Sequence, residues 1–224
     1  MPNINNIEIV AKRKLPVFFV VDCSDSMRYS IDIEKLKDII IEIVNDINDS
    51  VGSDYDIFIG LLTYGTNVNW IGDGLVSVRD FFVDIPDFDG LSDIGNAFDE
   101  LSKRLSRRAF LKDVDSRLYM KPIIVFIGDG CSTDDYSEQL KKLEANKLFK
   151  NSIKICVLTG NVQDLFFEIT KSREAIVNAN ELYNITRMIM IDVDRSIDED
   201  DFNVSEKNDI DETMKTKVDV DDSW

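Results

Sequence analysis

The sequence contains no histidine. That removes the commonest general base, the Ser-His and Cys-His nucleophile pairs and every His-ligated zinc or iron site, so most familiar hydrolase chemistries are excluded. Cysteine is scarce. Cys23, Cys131 and Cys156 are odd in number and lie in apolar or turn-like runs instead of a spaced framework, which reads as free thiols in a reducing compartment. Long apolar runs are missing as well: Met1 to Lys14 has no signal-type apolar core, and Pro16 to Val21 is far too short to span a bilayer. The expected location is cytoplasmic. Positive charge is in deficit, with 26 Lys and Arg against 43 Asp and Glu in 224 residues, and the net charge of −17 repels phosphate backbones and anionic membrane surfaces. Neither nucleic acid nor a membrane is expected as a partner.

What is present suits one α/β domain with a tail, since 44% of the residues are hydrophobic and the length leaves no room for two full-sized domains. Composition shifts once, near Asp192: from there to Trp224 there are 13 Asp and Glu against 4 Lys and Arg, with few large apolar side chains. The expected division is a lead-in over 1–13, a folded domain over 14–191 and an acidic, disordered tail over 192–224, in which Trp224 is a conceivable anchor.

Within the domain, Pro16 to Val21 is a continuous apolar run of the kind buried on both faces of a parallel sheet. From Ile33 to Ile47 the apolar residues fall at helical spacing. Ile57 to Thr63 is a second buried strand, and after Gly65-Thr66-Asn67 the short run Val68 to Ile71 reads as an antiparallel edge strand. Ile94, Ala97, Phe98, Leu101 and Leu105 mark another helical face, closed by Lys103, Arg104, Arg107 and Arg108 as a solvated, dipole-compensating terminus. Pro122 to Ile127 is a strand, Tyr136 to Phe149 a helix and Ile153 to Leu158 a strand; Val162 to Thr170, Ala175 to Val177 and Glu181 to Ile191 read as helix, short strand and closing helix. The alternation predicts a doubly wound, mostly parallel six-stranded sheet with one antiparallel edge strand and helices on both faces.

In such sheets ligands bind beyond the carboxyl ends of the strands. Two strands end in aspartate, Asp22 in Asp22-Cys23-Ser24-Asp25-Ser26 and Asp129 in Gly128-Asp129-Gly130, and Ser92 precedes a helix where it either caps that helix or turns towards the acids. Two carboxylates and several hydroxyls are an oxygen-only donor set, which selects a hard divalent cation such as Mg²⁺, with Mn²⁺ or Ca²⁺ as alternatives.

These residues carry a resemblance. Asp22, Ser24 and Ser26 match an Asp-x-Ser-x-Ser pattern, Ser92 to Gly95 is similar to a Thr-x-x-Gly loop, and Asp129-Gly130 matches a strand-terminal Asp-Gly, in the order found in von Willebrand factor A domains with a metal-ion-dependent adhesion site. Arg13-Lys-Leu-Pro-Val, Ile127-Gly-Asp-Gly and Ser132-Thr-Asp-Asp135 look most like the bacterial cytoplasmic TerY-type proteins associated with tellurite resistance and stress response. The resemblance implies strand order 3-2-1-4-5-6 and a metal held by Asp22, Ser24, Ser26, Ser92 and Asp129. It also implies one position left for an Asp or Glu of a partner protein, and a binding module instead of an enzyme. It assigns no oligomeric state. Asp25 replaces the glycine usual between the serines, and Ser92 the usual threonine.

The alternative is an enzyme using the strand-end acids, a phosphoryl-transferring hydrolase or a phosphoacceptor. An aspartyl phosphatase needs a second aspartate where this chain has Ser24, and a receiver needs a lysine where it has Thr159-Gly160-Asn161. No phosphate-cradling Gly-rich loop with lysine is present. Cys23 and Cys131 flank the site but read as ordinary packing cysteines, and Thr133, Asp134 and Asp135 either extend the binding surface or, the favoured reading, cap the helix that follows them.

Overall fold

The computed structural model describes residues 12–51, 55–106, 119–181, 187, 188 and 191. The acidic tail over 192–224 with Trp224, nearly all of the lead-in, and Arg107 and Arg108 lie outside these residues, as does most of the closing helix, of which 187, 188 and 191 are helical.

Six strands form one sheet in the order β3-β2-β1-β4-β5-β6. They are β1 (Arg13–Asp22), β2 (Tyr55–Tyr64), β3 (Val68–Ser77), β4 (Ile123–Gly128), β5 (Ile153–Leu158) and β6 (Ile176–Asn178). Every neighbouring pair is parallel except β2 with β3. The helices are α1 (Ile33–Val51), α2 (Ile94–Arg104), α3 (Ser137–Ala145), α4 (Lys147–Asn151) and α5 (Asp164–Thr170).

The apolar run of β1 is explained by its two covered faces. Leu15, Val17, Phe19 and Val21 pack into one core with Leu36, Ile39, Ile40, Ile43 and Ile47 of α1. Phe18 and Val20 point the other way, into a second core with Phe98 and Leu101 of α2, Leu140 of α3 and Phe166 of α5. With side chains alternating at a period of two, no position from Leu15 to Val21 faces water.

Four elements differ from the sequence reading. β3 runs on to Ser77 because Gly72 and Gly74, at φ 76° and 129°, form an irregularity opposite Gly60 in place of an ending, after which Val76 pairs with Ile59. The helix expected over Tyr136 to Phe149 is two, broken at Asn146, whose ψ of 122° is extended. Asp25–Tyr29 forms a 3₁₀ turn directly after β1. At the end of α2, Arg104 is not simply solvated: its guanidinium stacks over the Trp70 ring at 5.3 Å, while Lys103 pairs with Glu100 and is well exposed.

Candidate metal centre

β1 and β4 are hydrogen-bonded neighbours and both end at the same edge of the sheet, so the chain after each strand emerges side by side. Asp22 and Asp129 sit at these exits, 0% and 6% exposed. Asp22 has the same parity along β1 as Phe18 and Val20, which aims it to the α2 side, where the loop carrying Ser92 crosses the edge. Among the five residues expected in the site, Asp22 contacts Ser24 and Ser92, Ser24 contacts Ser26, Ser92 reaches the Cys131 carbonyl two residues after Asp129, and the charge of Asp129 acts on Asp22.

The contacts are specific. Asp22 Oδ1 accepts the Ser24 backbone N–H at 2.8 Å, and its Oδ2 accepts the Ser92 hydroxyl at 3.1 Å. The Ser24 and Ser26 hydroxyls lie 3.1 Å apart on one turn, and the Cys131 N–H donates to Asp129 Oδ1 at 2.9 Å. Ser92 does not cap α2. That role falls to Asp93, whose carboxylate accepts the Asn96 N–H at 3.3 Å, leaving the Ser92 hydroxyl to bridge Asp22 and the Cys131 carbonyl.

The motif glycines have steric reasons. Gly130 lies at φ 85°, and a Cβ there would collide with the Val162 carbonyl. At Gly95 a Cβ would collide with Asp134, whose Oδ2 accepts the Gly95 N–H at 2.9 Å. Asp134 therefore supplements the Asp93 cap by taking a second free N–H in the first turn of α2, instead of capping its own helix α3 as expected; Asp135 does serve α3, accepting the Ser137 N–H at 3.2 Å.

Burial pushes the Asp22 carboxyl up to about 6, opposed by its Ser24 and Ser92 hydrogen bonds and reinforced by the charge of Asp129. Among the described residues no Lys or Arg forms an ion pair with Asp22 or Asp129. Two buried carboxylates near enough for the charge of one to act on the other, and with no paired cation among the described residues, leave negative charge uncompensated. Together with three serine hydroxyls they fit a hard divalent ion, although among the described residues no three His, Cys, Asp or Glu side chains are grouped for one.

Sequence reasoning missed Tyr64. It ends β2 in register with Asp22, is buried, and its phenol is held well above its ordinary range by burial, with Asp22 and Asp129 adding to the effect. No local signal in the sequence marks it, because the register of β1 against β2 is what brings it beside Asp22. Burial also pushes the Cys23 thiol up to about 12; Cys131 is exposed and not the packing cysteine expected, and partial desolvation together with the charge of Asp129 raises its thiol, so neither is poised as a thiolate. Among the described residues no helix is long and apolar enough to cross a membrane.

Comparison with known proteins bears on the fold. No curated protein sequence matches. Among solved structures, proximal thread matrix protein 1 from the mussel byssus aligns with TM-score 0.58 and 16% identity over 80% of this chain and 48% of that one. A form of the same mussel protein described with a zinc-occupied MIDAS motif (the metal-ion-dependent adhesion site) aligns at 0.57, again with 16% identity, 80% and 48%. The ArnB paralog VWA2 from Sulfolobus acidocaldarius aligns at 0.53 with 14% identity over 77% of this chain and 43% of that one. The chain spans less than half the length of these solved chains. The family description von Willebrand factor type A domain matches residues 17–164. That match covers about two thirds of the 224 residues, and the chain belongs to the von Willebrand factor type A domain family.

Proposed function

We propose that the chain is a metal-dependent protein-interaction module, with Asp22, Ser24, Ser26, Ser92 and Asp129 holding one divalent cation, Mg²⁺ first among the candidates. The observation that carries this reading is the pair of buried carboxylates, Asp22 and Asp129, converging with Ser92 at the sheet edge without a cationic side chain. The donors are all hard oxygens, the chemistry Mg²⁺ prefers, and the mussel relative is described with zinc in the corresponding motif.

Each residue has a part. Asp22 and Asp129 supply charge from two different strands, and the Ser24 and Ser26 hydroxyls offer oxygens from one turn. The Ser24 N–H and the Ser92 hydroxyl hold the Asp22 carboxylate in place, and the Cys131 N–H holds that of Asp129. A divalent ion bound here supplies a position at which a partner's Asp or Glu carboxylate is accepted. The partner is then a protein, and the setting is the cytoplasm, in a tellurite-resistance or stress-response system of the TerY type.

A binding role is favoured over phosphoryl transfer. The residue two places after Asp22 is Ser24, and beyond β5 the Thr159 hydroxyl is turned to Ser30 at 3.1 Å, where a phosphoacceptor would require a lysine. Calorimetry tests the metal site. Mg²⁺ binds the full chain with a stoichiometry of one, and replacing both Ser24 and Asp129 by Ala lowers affinity by at least about tenfold, or 1.4 kcal/mol. Unchanged affinity in a folded double variant overturns the ligand set.

A further inference from the structure

We infer that Thr133 and Asp134, just beyond the exit of β4, are positioning residues of the metal centre: together they fix the loop that carries Ser92, so that its hydroxyl stands at Asp22. The inference rests on the metal-dependent reading above and adds to it two residues that hold no ion themselves. It is carried by the set of hydrogen bonds that converge on one short loop.

The peptides on either side of Ser92 are tied to the turn between β2 and β3. The Leu91 N–H donates to the Thr66 hydroxyl at 3.0 Å, and the Asp93 N–H to the Gly65 carbonyl at 3.3 Å. Ser92 is bonded instead to residues 131–134. Its carbonyl accepts the Thr133 N–H at 2.9 Å, the Thr133 hydroxyl at 2.9 Å and the Ser132 hydroxyl at 3.2 Å. Ser132 has one hydrogen for two acceptors, since Asp134 Oδ1 also faces it, which leaves Thr133 as the side chain committed to Ser92. Further along the loop, the Gly95 N–H donates to Asp134 Oδ2 at 2.9 Å. The loop is thus pinned at Ser92 by Thr133 and at the first turn of α2 by Asp134.

The consequence falls on the Ser92 hydroxyl. It too has one hydrogen and two acceptors, Asp22 Oδ2 at 3.1 Å and the Cys131 carbonyl at 3.0 Å, and either choice leaves lone pairs on its oxygen. Both acceptors are in reach only while Ser92 is held at this depth, 2% exposed. A loop looser by about 1 Å loses that placement, which is how groups behind a donor control a metal site without touching the ion. Thr133 is exposed, so its side chain adds little packing, and its hydroxyl bond to Ser92 is what it contributes.

Mg²⁺ titration calorimetry on the full chain, run well below the melting temperature of every variant, tests the assignment. Thr133→Val combined with Asp134→Ala lowers Mg²⁺ affinity about tenfold. Thr133→Ser keeps the hydroxyl and Asp134→Asn keeps an acceptor for the Gly95 N–H, so each stays within about twofold of the parent chain. Asp134→Asn also removes the charge, which separates placement of Ser92 from loss of a negative group near a cation. In a Ser92→Ala background the same Val and Ala pair changes affinity by less than about twofold, because no hydroxyl is left to place. Urea melts in EDTA measure the folding cost of the lost cap separately; should the paired variant not fold, Thr133→Val alone is read, with a loss of about threefold expected and unchanged affinity counting against the role. Lower stability with unchanged Mg²⁺ affinity, a loss just as large in the Ser92→Ala background, or a loss reproduced by Asp134→Asn overturns the positioning role and leaves the metal reading standing. A parent chain that binds no Mg²⁺ overturns both.

Discussion

At the scale of single residues, the balance at Asp22 decides how the centre behaves without metal. Its carboxyl is raised from 3.8 to about 6 chiefly by burial, so the folded state holds a proton that the unfolded state has lost between these values. The sign follows directly: ionised Asp22 destabilises the folded chain above about pH 6, and the penalty disappears as pH falls towards 3.8. In EDTA at pH 7.5, Asp22→Asn is expected to be more stable than the parent chain, by an amount on the order of 1–3 kcal/mol that shrinks by pH 5. In saturating Mg²⁺ the order reverses, because the carboxylate then has a cation. Urea melts at two pH values with and without metal check both statements, and a variant less stable in EDTA at pH 7.5 contradicts them. The residues in this balance were legible in unequal measure. Asp22, Ser24, Ser92 and Asp129 were readable because strand ends and turns are local features of sequence. Tyr64 was not, because its role depends on the pairing of β1 with β2, and the partner of a strand is not written in its own residues. The choice of Asp93 over Ser92 as the cap of α2 likewise depended on the hydroxyl finding Asp22 seventy residues away.

At the scale of elements, Asn146 joins three helices. Its N–H donates to the Leu143 carbonyl at 3.0 Å to close α3, and its Oδ1 accepts the Leu148 N–H at 2.9 Å to open α4. Its Nδ2 donates to the Leu105 carbonyl at 2.8 Å and to the Ser102 carbonyl at 3.3 Å, at the end of α2. Replacement by Ala removes a cap and two interhelical hydrogen bonds, a loss of about 2–3 kcal/mol. Replacement by Asp keeps the cap and puts a carboxylate against carbonyl oxygens, so it rescues none of the α2 contacts; equilibrium denaturation of the two variants measures the split, and an Ala variant within 0.5 kcal/mol of the parent refutes the junction. This break was hidden in the sequence because Leu143, Leu148 and Phe149 continue an apolar rhythm across it. The strands buried on both faces were easier, since β1, β2, β4 and β5 announce themselves by unbroken apolar runs. β3 was half seen for the opposite reason: Gly72 and Gly74 look like an ending, and only the pairing of Val76 with Ile59 reveals that the strand resumes.

At the scale of the whole molecule, the two ends of the strands differ in their balance of charge. The carboxyl ends of the strands carry Asp22, Asp25, Asp32, Asp87, Asp129 and Asp135 with Arg28 among them, whereas the opposite ends are mixed, with Arg13 and Lys14 opening β1, Asp56 in register with Lys14 on β2, Lys121 before β4 and Lys154 near the start of β5. Residues 192–224 contribute −9 of the net −17, leaving −8 on the remainder. We propose 14–191 as the folding unit, because the described residues already build two buried cores and the tail has few large apolar residues from which to build another. A chain ending at residue 191 is therefore expected to melt within about 5 °C of the full chain, a difference of no more than about 1–2 kcal/mol for this size. Ionic strength gives the comparison a sign. Self-repulsion between the tail and an acidic domain makes truncation neutral or slightly stabilising in low salt, and screening at high salt removes even that gain. Thermal melts at 20 mM and 500 mM NaCl check it. A fall of more than about 5 °C on truncation in low salt, abolished in high salt, would instead mean that the tail lies beside Lys14 and Lys121; a fall that persists in high salt would mean that its apolar residues pack into the domain.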